Sequence, residues 1–138
     1  FCDSLGVQVV YISNRKVQEL EKTMKNMDSL GFSFVQADNF LLKETTSGKE
    51  ERRKIAMEKY EIILLLGDNL NDFSDVFEHR GDDWGISVVE RYKNEFGNRF
   101  ILFPNPMYGE WEKNVYGKQK GLTEEAKFDL RREAIDKY

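Results

Sequence analysis

With one cysteine, Cys2, the chain cannot form an internal disulfide, and that residue alone does not identify a redox compartment. There is also one histidine, His79, with no visible partner, and it reads as a surface side chain. No run approaches the roughly eighteen apolar residues of a membrane-spanning helix, and repeats, linkers and low-complexity tracts are missing. A basic stripe is missing too. With 21 Lys and Arg against 25 Asp and Glu the net charge is −4, which argues against holding a nucleic-acid polymer by phosphate neutralisation. What remains is 138 residues, 40% hydrophobic and 33% charged, enough for one globular α/β domain with a real core. No signal peptide is visible, and the chain starts at Phe1 just ahead of a strand. Residues 1–138 are therefore expected to be a domain truncated at its N-terminus, with any targeting segment outside it.

Strand and helix patterns alternate. Residues 7–12, Val-Gln-Val-Val-Tyr-Ile, are β-branched and aromatic and end at Ser13-Asn14-Arg15. Residues 17–30 read as a helix, with Leu20, Met24, Met27 and Leu30 at helical spacing and Gly31 closing it. A short extended stretch over 32–35 precedes a strand at 39–42. Ser47 is expected to cap a helix over 49–59, with Glu50 in the capping-box position. Residues 61–66 hold the aliphatic run of a strand buried on both faces, as in the middle of a parallel sheet. A helix over 83–96, a strand over 99–103 stopped by Pro104, and an amphipathic helix over 123–137 packed on the body complete the pattern. This order implies βαβ units in a mainly parallel sheet, a Rossmann-like three-layer core. Ligands of such sheets bind beyond the carboxyl ends of the strands. Three strands end in polar clusters: Ser13-Asn14-Arg15, the Asp68 to Asp72 segment, and Pro104-Asn105-Pro106-Met107-Tyr108. If all the strands are parallel, the three clusters share one edge of one sheet.

Each cluster admits two readings. Asp68 and Asp72, four positions apart where a strand turns into a helix, can face one Mg²⁺, which needs only one or two carboxylates plus waters and a phosphate. Equally, Asp68 and Asn69 can cap a helix while Asp72 sits on a solvated face. The Ser13 hydroxyl can serve an anion or close a local turn. Lys49 at a helix start is electrostatically out of place unless an anion rests there, yet a lone lysine is usually just solvated, and Arg15 shares the ambiguity. Tyr108 and Trp111 can stack on a planar ligand or simply pack.

Taken in order, "VVYISNRK" (9–16), "SGKEERR" (47–53), "GDNLNDF" (67–73) and "FPNPMYGEWE" (103–112) resemble the class C acid phosphatases of the haloacid dehalogenase superfamily, a group that includes the bacterial lipoprotein e 5′-nucleotidases. The resemblance runs from about residue 7 to residue 112 and more loosely beyond. It implies a Mg²⁺-dependent enzyme that hydrolyses phosphomonoesters, plausibly nucleoside monophosphates, through an aspartyl-phosphate. It further implies that Ser13 hydrogen-bonds the phosphoryl group, that Lys49 neutralises its charge, and that Asp68 and Asp72 hold Mg²⁺. Tyr108 lies where the family places an aromatic residue near the leaving group, and Asn14 and Arg15 belong to the substrate-facing motif. By the same resemblance the protein belongs in the cell envelope, as a periplasmic or outer-membrane lipoprotein; a homo-oligomer is compatible with the sequence.

One motif departs from the pattern. The superfamily's Asp-x-Asp, which supplies the nucleophile and the general acid/base, should follow a buried strand, and none does so here; Asp3 precedes the first strand. The nucleophile is thus expected upstream of Phe1. The alternative is a non-catalytic protein that captures a nucleotide or phosphate on the same fold. Residues 1–138 expressed alone are expected to show no Mg²⁺-dependent turnover of p-nitrophenyl phosphate, and to be poorly soluble because apolar strand edges are left bare.

Overall fold

In the computed structural model the described residues are 1–78, 81, 83, 85–105, 107, 109, 111–117 and 119–135. The chain divides into two compact units, Phe1–Ile63 and Leu64–Tyr138. Each is built on one parallel strand pair joined through a helix, so the α/β, parallel character expected from the strand–helix alternation holds in both.

In the first unit β1 (Tyr11–Lys16) pairs with β2 (Phe40–Lys43), and α1 (Leu20–Ser29) makes the crossover. The ladder runs Tyr11 to Phe40, Ile12 to Leu41 and Ser13 to Leu42, lapses, and resumes at Lys16 with Lys43. That lapse is a bulge containing Asn14 and Arg15. The end of α1 is a Schellman motif: Phe32 N–H donates to the Met27 carbonyl at 3.1 Å and Gly31 N–H to the Asp28 carbonyl at 2.9 Å. Gly31, at φ +77°, takes the left-handed conformation that this closure needs. The extended stretch expected at 32–35 is no strand: Phe34 has φ +60°, and Tyr11 reaches the Ser33 carbonyl with its hydroxyl. Helix α2 (Glu50–Met57) follows β2. Phe40, Leu42 and Ala56 are buried, and the Tyr11 ring lies 5.0 Å from that of Phe40.

In the second unit β3 (Leu65–Gly67) pairs with β4 (Phe100–Leu102), with α3 (Ile86–Arg91) between them. Its core is aromatic. Phe73, Phe77 and Phe100 are buried, with Tyr92 and Phe96 packed against them. Phe73 stacks on Phe100 at 4.9 Å and 7°, and Phe96 meets both edge-on. Such contacts add to the burial of large apolar area. The helix expected over 83–96 is only six residues long. Gly85 at φ +88° opens it, and the Glu95 carbonyl then accepts the N–H groups of Asn98, Arg99 and Phe100, a turn that delivers Phe96 and Phe100 to the core. Helix α4 (Trp111–Tyr116) was not foreseen; α5 (Glu124–Ile135) packs on it, with the Arg131 guanidinium 6.0 Å from the Tyr116 ring centroid. No described helix is long and apolar enough to cross a membrane.

Two expectations need correction. The strands are shorter than the apolar runs that contain them, because a run becomes a strand only where a neighbour supplies the ladder. Among the described residues, 7–10 and 61–64 lie outside any ladder, and pairing begins at Tyr11 and Leu65. The single sheet expected is also two two-stranded sheets among the described residues. Accordingly β3 is not buried on both faces. Leu65 packs on the aromatic core while Ile63, Leu64 and Leu66 are exposed.

Phe77 is 1% exposed at the centre of the second core. Phe77→Ala should cost about 3–5 kcal/mol, read as a lowered urea midpoint; a loss under about 1 kcal/mol would show that the aromatic cluster does not carry the unit.

Candidate active site

The first unit carries Ser13, Asn14, Arg15 and Lys49. Ser13 precedes the bulge within β1 and Asn14 and Arg15 lie in it, and bulges re-aim side chains. Ser13 is half-buried; its hydroxyl oxygen accepts the Arg15 N–H at 3.2 Å, which closes the local turn that serine favours. Asn14 and Arg15 are exposed. Lys49, half-buried, is the N-cap residue of α2 and makes no side-chain cap bond. The expected Ser47 cap is therefore not formed. The helix starts at Glu50, Gly48 N–H is taken by the Thr46 hydroxyl at 3.1 Å, and Ser47 contributes its carbonyl elsewhere.

That carbonyl goes to Arg52, which reading the sequence alone passed over. Its guanidinium donates to the Ser13 carbonyl (2.6 Å), Asn14 Oδ1 (2.7 Å), the Gly48 carbonyl (2.9 Å) and the Ser47 carbonyl (3.2 Å). Backbone next to Ser13 and backbone next to Lys49 thus meet on one buried side chain. Burial, and after it the neighbouring Arg53 charge, lowers the Arg52 pKa from its ordinary value. The guanidinium nevertheless stays charged at physiological pH. Arg53 is buried too and pairs with Glu50 at 2.6 Å. The only signal for Arg52 in the sequence was an Arg-Arg pair one turn into a short helix, which resembles any solvated face.

In the second unit Asp68 follows β3, and a short 3₁₀ turn, Leu70–Asp72, carries Asp72. Asp72 is not on a solvated face. Its Oδ2 accepts the N–H groups of Asp68 and Asn69, both at 3.1 Å, while Asn69 Oδ1 accepts the Asn71 N–H. Phe73, 3% exposed, anchors the turn in the aromatic core directly after Asp72. Asp68 is exposed, and its Oδ2 accepts Asn105 Nδ2 at 2.6 Å, which ties the carboxyl end of β3 to the loop after β4. The Asp68 and Asn105 clusters do share one sheet edge; the Ser13 cluster stands at the edge of the other sheet. Asn105 belongs to the quoted 103–112 motif, but its bond to Asp68 joins residues 37 apart and was not legible there. Tyr108, expected near a leaving group, lies outside the described residues, as does His79; Trp111 opens α4.

The donor chemistry fits a hard divalent cation. Asp68 and Asp72 offer carboxylate oxygens only, and among the described residues no group of three or more His, Cys, Asp or Glu gathers to hold a metal ion. A cation that keeps most of its waters and takes one or two carboxylates suits so sparse a set, unlike an all-protein cage.

A family model described as the HAD superfamily, subfamily IIIB (acid phosphatase), matches residues 1–111. The fold is similar to that of the class C acid phosphatase from Bacillus anthracis, with 36% identity, 96% of this chain covered and a TM-score of 0.86. The crystal structure of that phosphatase with tungstate bound matches with the same figures. This chain spans 56% of the length of either.

Gly67 carries a steric condition on the acidic turn. A Cβ there would lie 2.5 Å from both Cβ and Oδ2 of Asp72, so the Asp72 carboxylate occupies space that only glycine leaves open. Gly67→Ala is expected to dislodge Asp72 from the two N–H groups and to cost about 2 kcal/mol in chemical denaturation. Combining it with Asp72→Gly should cost no more than Asp72→Gly alone; a fully additive pair would refute the clash.

Proposed function

The chain belongs to the HAD superfamily, subfamily IIIB, the acid phosphatases, and from that premise we propose that the protein hydrolyses phosphomonoesters. The observation that carries the reading is the acidic turn after β3: Asp72 is locked by two backbone N–H groups and Asp68 by Asn105, so both carboxylates are oriented before any ligand arrives. Orientation of charge ahead of reaction is what phosphoryl transfer asks of a protein. The tungstate bound to the Bacillus anthracis phosphatase is a tetrahedral oxyanion, which supports an oxyanion site in the relatives of this chain.

In this reading Asp68 and Asp72 hold a divalent cation, Mg²⁺, which when bound supplies positive charge to the phosphoryl oxygens. The Ser13 hydroxyl donates to a phosphoryl oxygen, and the Lys49 ammonium offsets the negative charge that accumulates during transfer. Asn14 and Arg15, exposed on the bulge, face the substrate, with Tyr108 toward its leaving group; nucleoside monophosphates are suitable esters. The nucleophile is an aspartate from an Asp-x-Asp motif that residues 1–138 do not contain, and its attack on phosphorus displaces the alcohol and forms an aspartyl-phosphate that water hydrolyses. Family resemblance supports a location in the cell envelope, which fractionation of cells tests.

The decisive experiment uses the full-length protein and p-nitrophenyl phosphate. Asp68→Asn should raise the Mg²⁺ requirement and lower turnover, and Asn105→Ala, which removes the amide bonded to Asp68 together with the acceptor of the Met107 N–H, should cost about 10–100-fold. Near-normal activity of Asp68→Asn at low Mg²⁺ would remove that residue from the metal site. Phosphate binding without turnover in the unaltered protein would favour the non-catalytic alternative.

For Lys49, Lys49→Met keeps most of the length and the apolar stem while deleting the cation. Turnover should fall about 10²–10³-fold with little change in Tm; unchanged turnover would return Lys49 to an ordinary surface role.

A further inference from the structure

We propose that Arg52 is the positioning residue of the phosphoryl-binding segments of the first unit, holding the Ser13 and Lys49 segments in one fixed relation. The proposal rests on the phosphatase reading above and extends it to a residue that contacts no substrate.

Three features of the first unit carry it. The β1–β2 ladder lapses between Ser13 and Lys16, so strand pairing does not fix the backbone around Asn14 and Arg15. At the start of α2 the N-cap residue, Lys49, makes no side-chain cap bond, and the Thr46 hydroxyl ties the loop only to Gly48 within itself. Arg52 bonds to the chain at both of these weak points, to the Ser13 carbonyl and Asn14 Oδ1 on one side and to the Ser47 and Gly48 carbonyls on the other. Ser13 is 39 residues from Arg52 and Asn14 is 38, so the bonds to these two are tertiary, while those to Ser47 and Gly48 are local.

Only a guanidinium can make this connection. Its planar fork presents five donors in fixed directions, whereas an ammonium is a compact point charge that cannot span two separated pairs of acceptors. The cost of keeping it is considerable. Arg52 is 8% exposed, and the four acceptors it reaches among the described residues are all neutral, so none of these partners offsets the burial of a cation with a full negative charge. A hydrocarbon side chain would fill the same space without that cost. What the cation adds is a rigid tie between two loops, together with a positive charge beside the segment that receives a phosphoryl group.

The test compares Arg52→Lys and Arg52→Gln in the full-length protein with Ser13→Ala and Lys49→Met, singly and combined. Arg52→Lys preserves charge and stem, so a residue needed only for either would be rescued by it. A positioning residue is not rescued. Both Arg52 variants should lose about 100-fold in kcat, by the same factor for small and large phosphomonoesters, and Arg52→Lys should bring little further loss when added to Ser13→Ala. Multiplying losses in that pair, or wild-type kcat in Arg52→Lys while Ser13→Ala and Lys49→Met are impaired, overturns the positioning role alone. Wild-type activity in Ser13→Ala and Lys49→Met overturns the phosphatase assignment of those residues, and this proposal with it. Unfolding of both Arg52 variants would make the residue architectural and also overturn it.

Discussion

The candidate site residues of this chain hang from short parallel strand pairs. A parallel ladder holds a strand only for the length of its neighbour, and the chain leaves the sheet where the ladder stops. In the first unit the ladder is interrupted after Ser13, opposite Leu42, before it resumes at Lys16; in the second it ends at Gly67, opposite Leu102. The polar clusters begin at those two residues. The ladder therefore decides where the site residues start, and the groups beyond it need other anchors.

Those anchors differ between the two units. In the second, local chemistry seats Asp72, while Asp68 takes a distant partner, Asn105. Asp72 folds back on the N–H groups of Asp68 and Asn69, glycine leaves room for it, and Phe73 drives the next residue into an aromatic core. Capping of this kind is inexpensive and preorganises a carboxylate at the same time. In the first unit the segments near Ser13 and Lys49 lie 36 positions apart, too far for a local motif to relate them. A buried guanidinium takes that part, at the desolvation cost of a cation among neutral acceptors.

The bland and the functional readings of these residues are not rivals. Ser13 closes an ordinary turn with the Arg15 N–H, and Asn69 and Asp72 form an ordinary capping arrangement. Turn chemistry fixes a polar side chain in one direction, and a fixed direction is what a ligand site requires. The same bond can satisfy the backbone and aim the group.

Much was legible in one dimension. The alternation of aliphatic runs with helical periodicity determined an α/β chain with parallel pairing, and four motifs in order determined the family, because both signals are local in sequence. Gly31 marked the end of α1 for the same reason: a left-handed closure is a property of a few consecutive residues. Strand length was not legible, since residues 7–10 and 61–64 have the side chains of a strand and, among the described residues, no ladder beside them. Nor was the shortening of α3, imposed by a core that recruits Phe96 and Phe100. Tertiary structure alone decided that Asn105 would hold Asp68 and that Arg52 would join the ends of two loops, because each bond links residues that only the folded chain brings within hydrogen-bonding distance.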